Sequence, residues 1–333
     1  MEYFLCPLSF LYRAVTQIKF ILYRYKICRA KKADIPIISV GNITFGGSEK
    51  TPLVMELLSA LLRNRYKPAL ISRGYKGNWE NNGGVLSNGK EVFGNWKDSG
   101  DEPFMIYKNF PETGIFIGEN RFVSIDRAKE LGFQLAVLDD GFQYLALKKD
   151  LNIVLYDPSE KIALREPVSS LKRAHIIIIK REISNEIREE LEKRFPDADL
   201  FEYSVVSRGI FRLGEKEAEP FETLRGKNIL ALCGIARPQR FFSLLKENGV
   251  KPQIFLKFSD HYSYPVSSIK KIEEAYYNSH SEAIITTEKD IIKVSTFDEF
   301  KNLPVYFLKI GLEIEEEFYE KLFSLLKSKE RYH

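Results

Sequence analysis

The chain has 333 residues, of which 44% are hydrophobic and 29% are charged, a composition that excludes intrinsic disorder, collagen and a small disulfide-stabilised scaffold. Its three cysteines, Cys6, Cys28 and Cys233, have no C-x-x-C spacing, so we expect a reducing compartment and no structural zinc site. The net charge of +4 divides into +6 on residues 1–33 and −2 on the remainder, which excludes a general nucleic-acid-binding protein, whose basic residues would spread over its core.

The first predicted element is an amphipathic helix within residues 1–33. Residues 3–27 read YFLCPLSFLYRAVTQIKFILYRYKI, in which apolar residues recur at helical spacing among Arg and Lys. Basic residues interrupt the apolar run before it reaches about 18 residues, so the segment does not resemble a transmembrane helix. It also lacks the small-residue cleavage site of a signal peptide. Aromatic residues and cationic flanks are typical of a helix in a membrane interface, but a helix that packs on its own domain has the same pattern.

Downstream of this segment, apolar runs of strand type alternate with helical stretches. The predicted strands are 36–40, 69–72, 114–117, 135–138, 152–156, 175–179, 228–232, 253–258, 283–286 and 305–308. The predicted helices are 52–64, 121–131, 185–194, 238–248, 266–278 and 315–326. This alternation predicts an α/β fold with a mostly parallel sheet that is covered by helices on both faces.

Two stretches interrupt the alternation. Residues 76–100 are rich in Gly, Asn and Trp, which predicts a hairpin or flap. Residues 207–225 are polar and rich in Glu, which predicts a domain boundary or a short linker. We therefore expect three parts: the helix at 1–33, an α/β domain at 34–215, and a second, smaller α/β domain at 216–333.

The loop after the first predicted strand has the architecture of a phosphate-binding loop. It reads GNITFGGSEKT from residue 41 to residue 51 and leads into a helix. Its small residues allow backbone N–H groups to surround phosphate oxygens, and the helix N-terminus favours negative charge. Lys50 can reach the β- and γ-phosphates, and the Thr51 hydroxyl can bind Mg²⁺. The residues expected to contact the nucleotide are Thr44, Gly46, Gly47, Ser48, Lys50 and Thr51.

This loop departs from the pattern G-x-x-x-x-G-K-[ST] at two positions, because the chain has Thr44 and Glu49 where the pattern has glycine. The change at Glu49 is the more serious one. A carboxylate next to the nucleotide phosphates would repel them, and a residue other than glycine has less backbone freedom. We therefore expect Glu49 to weaken nucleotide binding. An ordinary strand–turn–helix with glycine in its turn remains the alternative interpretation of the loop.

The sequence contains two acidic pairs beside predicted elements. Asp139 and Asp140 end the predicted strand 135–138, where phosphate-loop enzymes hold Mg²⁺ at the carboxyl edge of the sheet. The alternative for these two residues is an Asp-Asp-Gly turn that caps a helix. Asp101 and Glu102 precede a helical stretch, and here the common role is an N-terminal helix cap.

Two further motifs carry imidazole or guanidinium groups. Asp260 and His261 follow the strand 253–258, and a carboxylate beside an imidazole can act as a general base. Arg165 and Arg173 lie in a basic stretch between two predicted strands, where they can bind phosphate groups of a substrate. A structural Asp–His pair and a solvated loop are the respective alternatives.

In their order along the chain, these motifs resemble one family, the tetraacyldisaccharide 4'-kinases (lipid A 4'-kinases) of Gram-negative bacteria. The landmarks that carry the resemblance are PLSFLYR from residue 7, SVGN from 39, GGS from 46 with KTP from 50, SRGY from 72, GDEP from 100, DDGFQ from 139, LREP from 164, CGI from 233, Asp260-His261, and TTEKD from 286. Each motif is weak alone, but ten in order are specific.

The resemblance implies ATP- and Mg²⁺-dependent phosphorylation of the 4'-hydroxyl of a tetraacyldisaccharide 1-phosphate, a lipid A precursor, which gives the 1,4'-bisphosphate. It also implies a phosphate-loop N-terminal domain, a smaller C-terminal α/β domain, and an active site in the cleft. We expect a peripheral protein at the cytoplasmic face of the bacterial inner membrane, which it contacts through residues 1–30. A monomer is expected.

The resemblance also implies roles for individual residues. Lys50 and Thr51 are expected to bind the nucleotide phosphates and Mg²⁺. Asp101 is expected to be the catalytic base for the sugar hydroxyl, with His261 tuning it. The expected metal-site acids are Glu102, Asp139 and Asp140. Further site candidates are Gln143, Arg73, Arg121, Arg165 and Arg173.

Two positions depart from the family. Its members usually have glycine at the position of Glu49, and many have histidine at the position of Tyr144. Two other functions therefore stay open at this point. One is a phosphate-loop NTPase that needs no lipid acceptor, and the other is a lipid-binding protein whose kinase activity is weakened by Glu49.

Overall fold

The computed structural model describes residues 18, 20–23, 25, 27–45, 49–158 and 164–330. The chain divides into two compact units, each assembled from separate segments. The first unit comprises Met1–Ser99, Ile106–Ser204 and Leu312–His333, and the second comprises Gly100–Met105 and Val205–Gly311. The contiguous division into residues 34–215 and 216–333 stays a prediction.

The secondary structure alternates strands and helices along most of the chain. The strands are β1 (Ile37–Asn42), β2 (Pro68–Ser72), β3 (Gly84–Asn88), β4 (Gly114–Ile117), β5 (Leu135–Leu138), β6 (Leu151–Leu155), β7 (Ile176–Lys180), β8 (Asp199–Arg212), β9 (Ala218–Glu219), β10 (Ile229–Cys233), β11 (Ile254–Lys257), β12 (Ala283–Thr287) and β13 (Val305–Ile314). The α-helices are α1 (Lys50–Arg63), α2 (Trp96–Ser99), α3 (Asp101–Asn109), α4 (Arg121–Glu130), α5 (Asn185–Arg194), α6 (Pro238–Glu247), α7 (Val266–Asn278), α8 (Glu288–Val294) and α9 (Glu316–Glu330). Short 3₁₀ helices lie at Val168–Arg173, Phe221–Leu224 and Asp298–Phe300.

The sheet of the first unit has the strand order β3-β4-β2-β5-β1-β6-β7-β8. Every pairing in this series is parallel except that of β3 with β4. Strand β1 lies in the middle, and all six of its residues are buried, as expected for a parallel strand with helices on both faces. Helix α1 contacts β1 and β2, and it buries Leu53, Leu57 and Leu61, which lie four residues apart on one face.

The second unit contains a parallel series with the order β11-β10-β12-β13. Strand β10 divides its side chains between two apolar clusters. Ala231 packs with Phe241 of α6, whereas Leu230 packs with Ile272 of α7. Because successive residues of a strand point to opposite faces, each helix covers one face of this sheet.

The predicted strands and helices are confirmed, with bounds that differ by a few residues. The interpretation of residues 207–225 as a linker is wrong for its first part, because Ser207–Arg212 belong to β8, a strand of 14 residues. Most residues of β8 are only partly buried, so polar side chains are tolerated and the sequence lacks an apolar run. In the interval 76–100, β3 pairs antiparallel with β4, so part of the predicted flap is an edge strand.

The predicted N-terminal amphipathic helix lies largely outside the described residues. Within them, residue 18 and residues 20–23 are helical, and the side chains of Ile18 and Ile21 are exposed. None of the helices in the described part of the chain is long and apolar enough to cross a membrane.

Candidate active site

The first cluster of site residues lies in the first unit, where β1 leads through a loop into α1. The register places Ser39 of β1 opposite Leu138 of β5, so the loop after β1 lies beside the residues that follow β5. A Cβ atom on Gly41 would approach the Cβ of Phe142 to 2.5 Å, so this position requires glycine. The strand and the helix predicted on either side of a phosphate loop are both present. Gly46, Gly47 and Ser48 lie outside the described residues.

Lys50 begins α1 and points to the end of β5. Its Nζ donates to Asp140 Oδ1 at 2.5 Å and to Asn42 Oδ1 at 3.3 Å. Asn42 in turn donates through Nδ2 to Thr44 Oγ1 at 3.0 Å. Arg165 adds a second cation, with its Nη1 2.9 Å from Asp140 Oδ2. The sequence-predicted residues Lys50, Thr44, Asp140 and Arg165 are thus brought together.

Electrostatics keep Asp140 ionised. Burial alone would raise the pKa of this carboxyl, but Lys50 and Arg165 outweigh that effect and hold the pKa well below its usual range. The backbone of Asp140 has a φ of 51°, in the left-handed region that residues other than Gly, Asn and Asp seldom adopt. The ion pairs and the turn together fix the direction of this carboxylate.

Asp139 and Asp140 meet the chemical requirements of a magnesium site. Asp139 is buried and accepts a hydrogen bond from Ser72 Oγ at 3.4 Å, and Thr51 lies in the first turn of α1. These groups offer oxygen donors, which Mg²⁺ prefers. No group of three or more His, Cys, Asp and Glu suited to a metal occurs among the described residues. Mg²⁺ in kinases needs only one or two carboxylates together with phosphate oxygens and water, so the residues present fit the ion.

Glu49, the departure from the phosphate-loop pattern, is buried and turned toward β8. It is the residue that precedes α1, yet its side chain makes no capping hydrogen bond to that helix. Instead, Glu49 Oε2 accepts a hydrogen bond of 2.8 Å from the hydroxyl of Tyr203. Both side chains are buried, Glu49 at 8% and Tyr203 at 2% exposure. The sequence identifies Glu49 as a departure from the loop pattern, but it does not reveal Tyr203 as its partner, because the two residues are 154 positions apart in the chain.

The second cluster lies in the second unit and is built around Asp101, the first residue of α3. Its carboxylate is buried and receives His261 Nδ1 at 3.0 Å and Lys293 Nζ at 2.7 Å. Burial alone would raise the pKa of Asp101, but the hydrogen bond from His261 and the charges of Lys289 and Lys293 hold that pKa far below its usual value. The pairing of Asp101 with His261 that the resemblance implies is present in the structure.

Lys289 determines which nitrogen of His261 carries the proton. Its Nζ lies 3.2 Å from His261 Nε2, 2.9 Å from Glu102 Oε1 and 3.6 Å from Asp260 Oδ1. An ammonium group can only donate, so Nε2 accepts and the imidazole proton resides on Nδ1, from which it is donated to Asp101. Burial lowers the pKa of Lys289, but Glu102, Asp101 and Asp260 outweigh burial and raise it, so the ammonium stays charged.

The TTEKD motif positions the two lysines. The Thr287 side chain accepts from the backbone N–H of Asp290, which caps α8, and donates to the Asp290 carboxylate at 2.6 Å. Asp290 is fully buried and also accepts from Gly234 N at 2.9 Å and from Tyr264 Oη at 3.0 Å. Lys289 and Lys293 both belong to α8 and lie one helical turn apart, so their side chains lie on the same face of the helix. The sequence analysis does not identify either lysine as a site residue, although the i, i+4 spacing of Lys289 in the motif and Lys293 just beyond it is a usable signal.

Glu102 is a predicted metal-site acid. It lies in the second unit, as the second residue of α3, and pairs with Lys289 at 2.9 Å. The metal-binding role of Glu102 stays a prediction, as do the roles of Asp139, Asp140 and Thr51.

Two of the candidate arginines lie near the end of β5. Arg121 is buried and donates to Gly118 O at 2.6 Å. Burial lowers its pKa, and the negative charges of Asp139 and Asp140 oppose that shift, which places the guanidinium in their field. Arg73 is half-exposed, and its Nε lies 2.7 Å from a carboxylate oxygen of Glu80. Both guanidinium groups are compatible with binding an anionic substrate.

The remaining two candidates, Arg173 and Gln143, are engaged within the first unit. Arg173 forms an ion pair with the buried Glu166 and stacks on the ring of Phe142, with its Cζ 4.1 Å from the centroid. Burial is the main reason that the pKa of Arg173 is lowered. Gln143 donates from Nε2 to the backbone oxygen of Asn42 at 2.8 Å. These contacts tie the DDGFQ segment to the end of β1.

The chain matches a known protein family. The family model for LpxK, tetraacyldisaccharide-1-P 4'-kinase, matches residues 1–327. The chain belongs to this kinase family. A tetraacyldisaccharide 4'-kinase from Desulfotalea psychrophila is 33% identical over 331 residues, which cover 94% of this chain and 93% of the relative. The corresponding protein from Pelobacter propionicus is 34% identical over 302 residues, which cover 87% of this chain and 82% of the relative.

A solved member of the family has the same fold. The crystal structure of LpxK from Aquifex aeolicus in complex with ATP superimposes with a TM-score of 0.76, at 27% sequence identity, and the match covers 98% of each chain. The predicted α/β fold and the predicted family are both confirmed. The roles of the individual site residues stay predictions.

Proposed function

We propose that this chain transfers the γ-phosphoryl group of ATP to the 4'-hydroxyl of a tetraacyldisaccharide 1-phosphate, giving the 1,4'-bisphosphate and ADP. The observation that carries the proposal is the family match over residues 1–327. In the reaction, the O–H bond of the 4'-hydroxyl breaks, its oxygen bonds to the γ-phosphorus, and the bond from that phosphorus to the bridging oxygen of ADP breaks.

The first unit supplies the groups that would bind the nucleotide. Lys50 carries a fixed ammonium at the start of α1, held by Asp140 and Asn42. In phosphate loops this lysine interacts with the β- and γ-phosphates, and Thr51 would offer its hydroxyl to Mg²⁺ together with Asp139 and Asp140. Bound Mg²⁺ would supply positive charge to the transferred phosphoryl group. Catalysis of this kind depends mainly on positioning and electrostatics.

The second unit supplies the group that would take the proton. Asp101 is ionised throughout the neutral range because its pKa is lowered, so one of its oxygens can accept the hydroxyl proton. The Nδ1–H of His261 points at the same carboxylate and fixes its direction. Because Lys289 lies against Nε2 and Nδ1 faces the Asp101 carboxylate, we assign proton acceptance to Asp101 and an orienting role to His261.

The decisive experiment measures transfer of ³²P from γ-labelled ATP to a tetraacyldisaccharide 1-phosphate in detergent. A labelled 1,4'-bisphosphate is expected. Hydrolysis of ATP that does not depend on the lipid would favour the NTPase alternative. Binding of ATP and lipid without label transfer would favour the lipid-binding alternative. Either of these two results would contradict the proposal.

We also propose that the chain acts as a peripheral monomer at the cytoplasmic face of the inner membrane, which it contacts through residues 1–30. The charge of +6 on residues 1–33 and the exposure of Ile18 and Ile21 support this contact. Co-sedimentation with vesicles that contain anionic phosphatidylglycerol is expected, and Ile18→Asp should reduce it. Val123→Asp, at an exposed apolar residue on α4, is the control. Equal binding of both variants and of the unmodified chain would contradict the proposed contact.

A further inference from the structure

Glu49 lies at the N-terminus of α1, where a carboxylate would compete with the phosphates of a nucleotide. Glu49 precedes a helix of 14 residues, and its backbone carbonyl accepts the N–H of Leu53 at 3.0 Å as the helix begins. In the first helical turn Lys50 and Thr51 carry backbone N–H groups and Pro52 has none, and the aligned peptide dipoles favour negative charge there. A carboxylate at this position is therefore attracted to the same groups that a nucleotide phosphate would use.

The Glu49 carboxylate does not cap the N-terminus of α1. Glu49 makes no side-chain capping bond to α1, and Oε2 accepts the Tyr203 hydroxyl at 2.8 Å. Both residues are nearly excluded from solvent, so the hydrogen bond is formed where water competes little. Hydrogen bonds to charged acceptors are stronger than those between neutral groups. This hydrogen bond thus directs the Glu49 side chain toward β8.

Tyr203 is well suited to act as a permanent donor. It is paired in register with Lys180 of β7, and the N–H of Arg181 donates to its backbone carbonyl at 2.9 Å, so the strand is fixed on that side. Burial raises the pKa of the Tyr203 phenol, and the charges of Asp157 and Glu182 raise it further. The hydroxyl therefore keeps its proton and can donate it to Glu49 at every physiological pH.

We propose that Tyr203 is a positioning residue for nucleotide binding: it holds the Glu49 carboxylate on β8, away from the helix N-terminus where the ATP phosphates bind. This proposal rests on the proposed function, because it requires that ATP binds at the start of α1. It also gives a physical reason why a glutamate can stand at a position where the phosphate-loop pattern has glycine. The carboxylate is tolerated in this chain because a second residue restrains it.

The test is a double-mutant cycle on ATP affinity, measured by calorimetric titration of the full chain. Tyr203→Phe removes only the hydroxyl, and the released carboxylate should weaken ATP binding on the order of tenfold. Glu49→Gln alone should change the affinity by less than about threefold, because a glutamine can keep the hydrogen bond from Tyr203. The combination of Glu49→Gln with Tyr203→Phe should restore the affinity to within about threefold of the unmodified chain.

The same titrations with AMP provide a control, since a monophosphate places fewer charges at the loop and Tyr203→Phe should affect it less. Thermal melting of all four proteins reports any general loss of structure. An equal loss of ATP affinity with and without Glu49→Gln would mean that Tyr203 has only a structural role and would overturn the proposal. An unchanged affinity in Tyr203→Phe would also overturn it. Failure of the unmodified chain to bind ATP would instead overturn the proposed function.

Discussion

Lys293 gives the sharpest test of the site in the second unit. The residue is 2% exposed, and its ammonium lies 2.7 Å from Asp101 Oδ2 and donates to the backbone oxygen of Tyr262 at 3.1 Å. Replacement by methionine fills a similar volume but removes the charge. Breaking one side of a buried ion pair costs about 3–5 kcal/mol, because the remaining charge stays buried without compensation. Asp101 keeps the hydrogen bond from His261, so we expect the lower end, about 3 kcal/mol.

The pH dependence of Lys293→Met follows from the sign of the Asp101 shift. The pKa of Asp101 is lowered in the folded chain, so its pairing contributes stability above about pH 4 and loses that contribution as the pH falls through the folded pKa. Without Lys293 the folded pKa moves back toward the ordinary value. The acid limb of kcat/KM should therefore move to higher pH in the variant, because Asp101 becomes protonated earlier.

Thermal melting and a pH series of kcat/KM measure these effects. Lys293→Met should melt roughly 5 °C or more below the unmodified chain. The matched control is Lys301→Met, which makes the same chemical change at an exposed ion pair with Asp298. The control should melt and react like the unmodified chain, since exposed pairs contribute little. A Lys293→Met variant with an unchanged melting temperature and an unchanged acid limb would refute the reasoning.

Two further predictions concern the same cluster. Asp101→Asn keeps the shape of the side chain but removes the proton acceptor. The kcat for lipid phosphorylation should therefore fall by about 100-fold or more, while the calorimetric affinity for ATP stays the same. A kcat within about threefold of the unmodified chain would exclude Asp101 as the base. Lys289→Met removes the donor to His261 Nε2, so the Nδ1–H tautomer is no longer fixed and kcat should fall by up to about 100-fold. Lys289→Arg should retain more activity than Lys289→Met, and equal activity of the two variants would argue against a donor role.

Much of this fold could be predicted from local sequence patterns. Strands such as β1 and β5 are continuous apolar runs, and the glycine-rich loop before Lys50 marks where the first helix begins. β8 could not be predicted in the same way, because it is only partly buried along most of its length and its polar residues resemble a linker. Local patterns fail wherever a strand lacks an apolar face.

The site was predictable to the extent that its residues belong to short motifs. Asp101 and His261 are found through two such motifs, and their contact was implied by the family resemblance. Tyr203 has no motif, and its contact with Glu49 joins residues 154 positions apart, which only the folded sheet brings together. Lys293 lies outside the quoted TTEKD run, although it is one helical turn beyond Lys289. Contacts of this kind depend on tertiary packing, which a single sequence does not display.

The seven-residue helix α8 limits where the chain can tolerate insertions and deletions. It delivers one ammonium group to Asp101 and another to His261 from positions four residues apart. Deleting one residue between Lys289 and Lys293 would turn the second lysine by about 100° around the helix axis relative to the first, so a single deletion would remove one of the two ammonium groups from its partner. Homologues should therefore vary in length in the connections around this helix but keep the spacing within it. A library of single-residue insertions and deletions would show an abrupt loss of activity that begins and ends with α8.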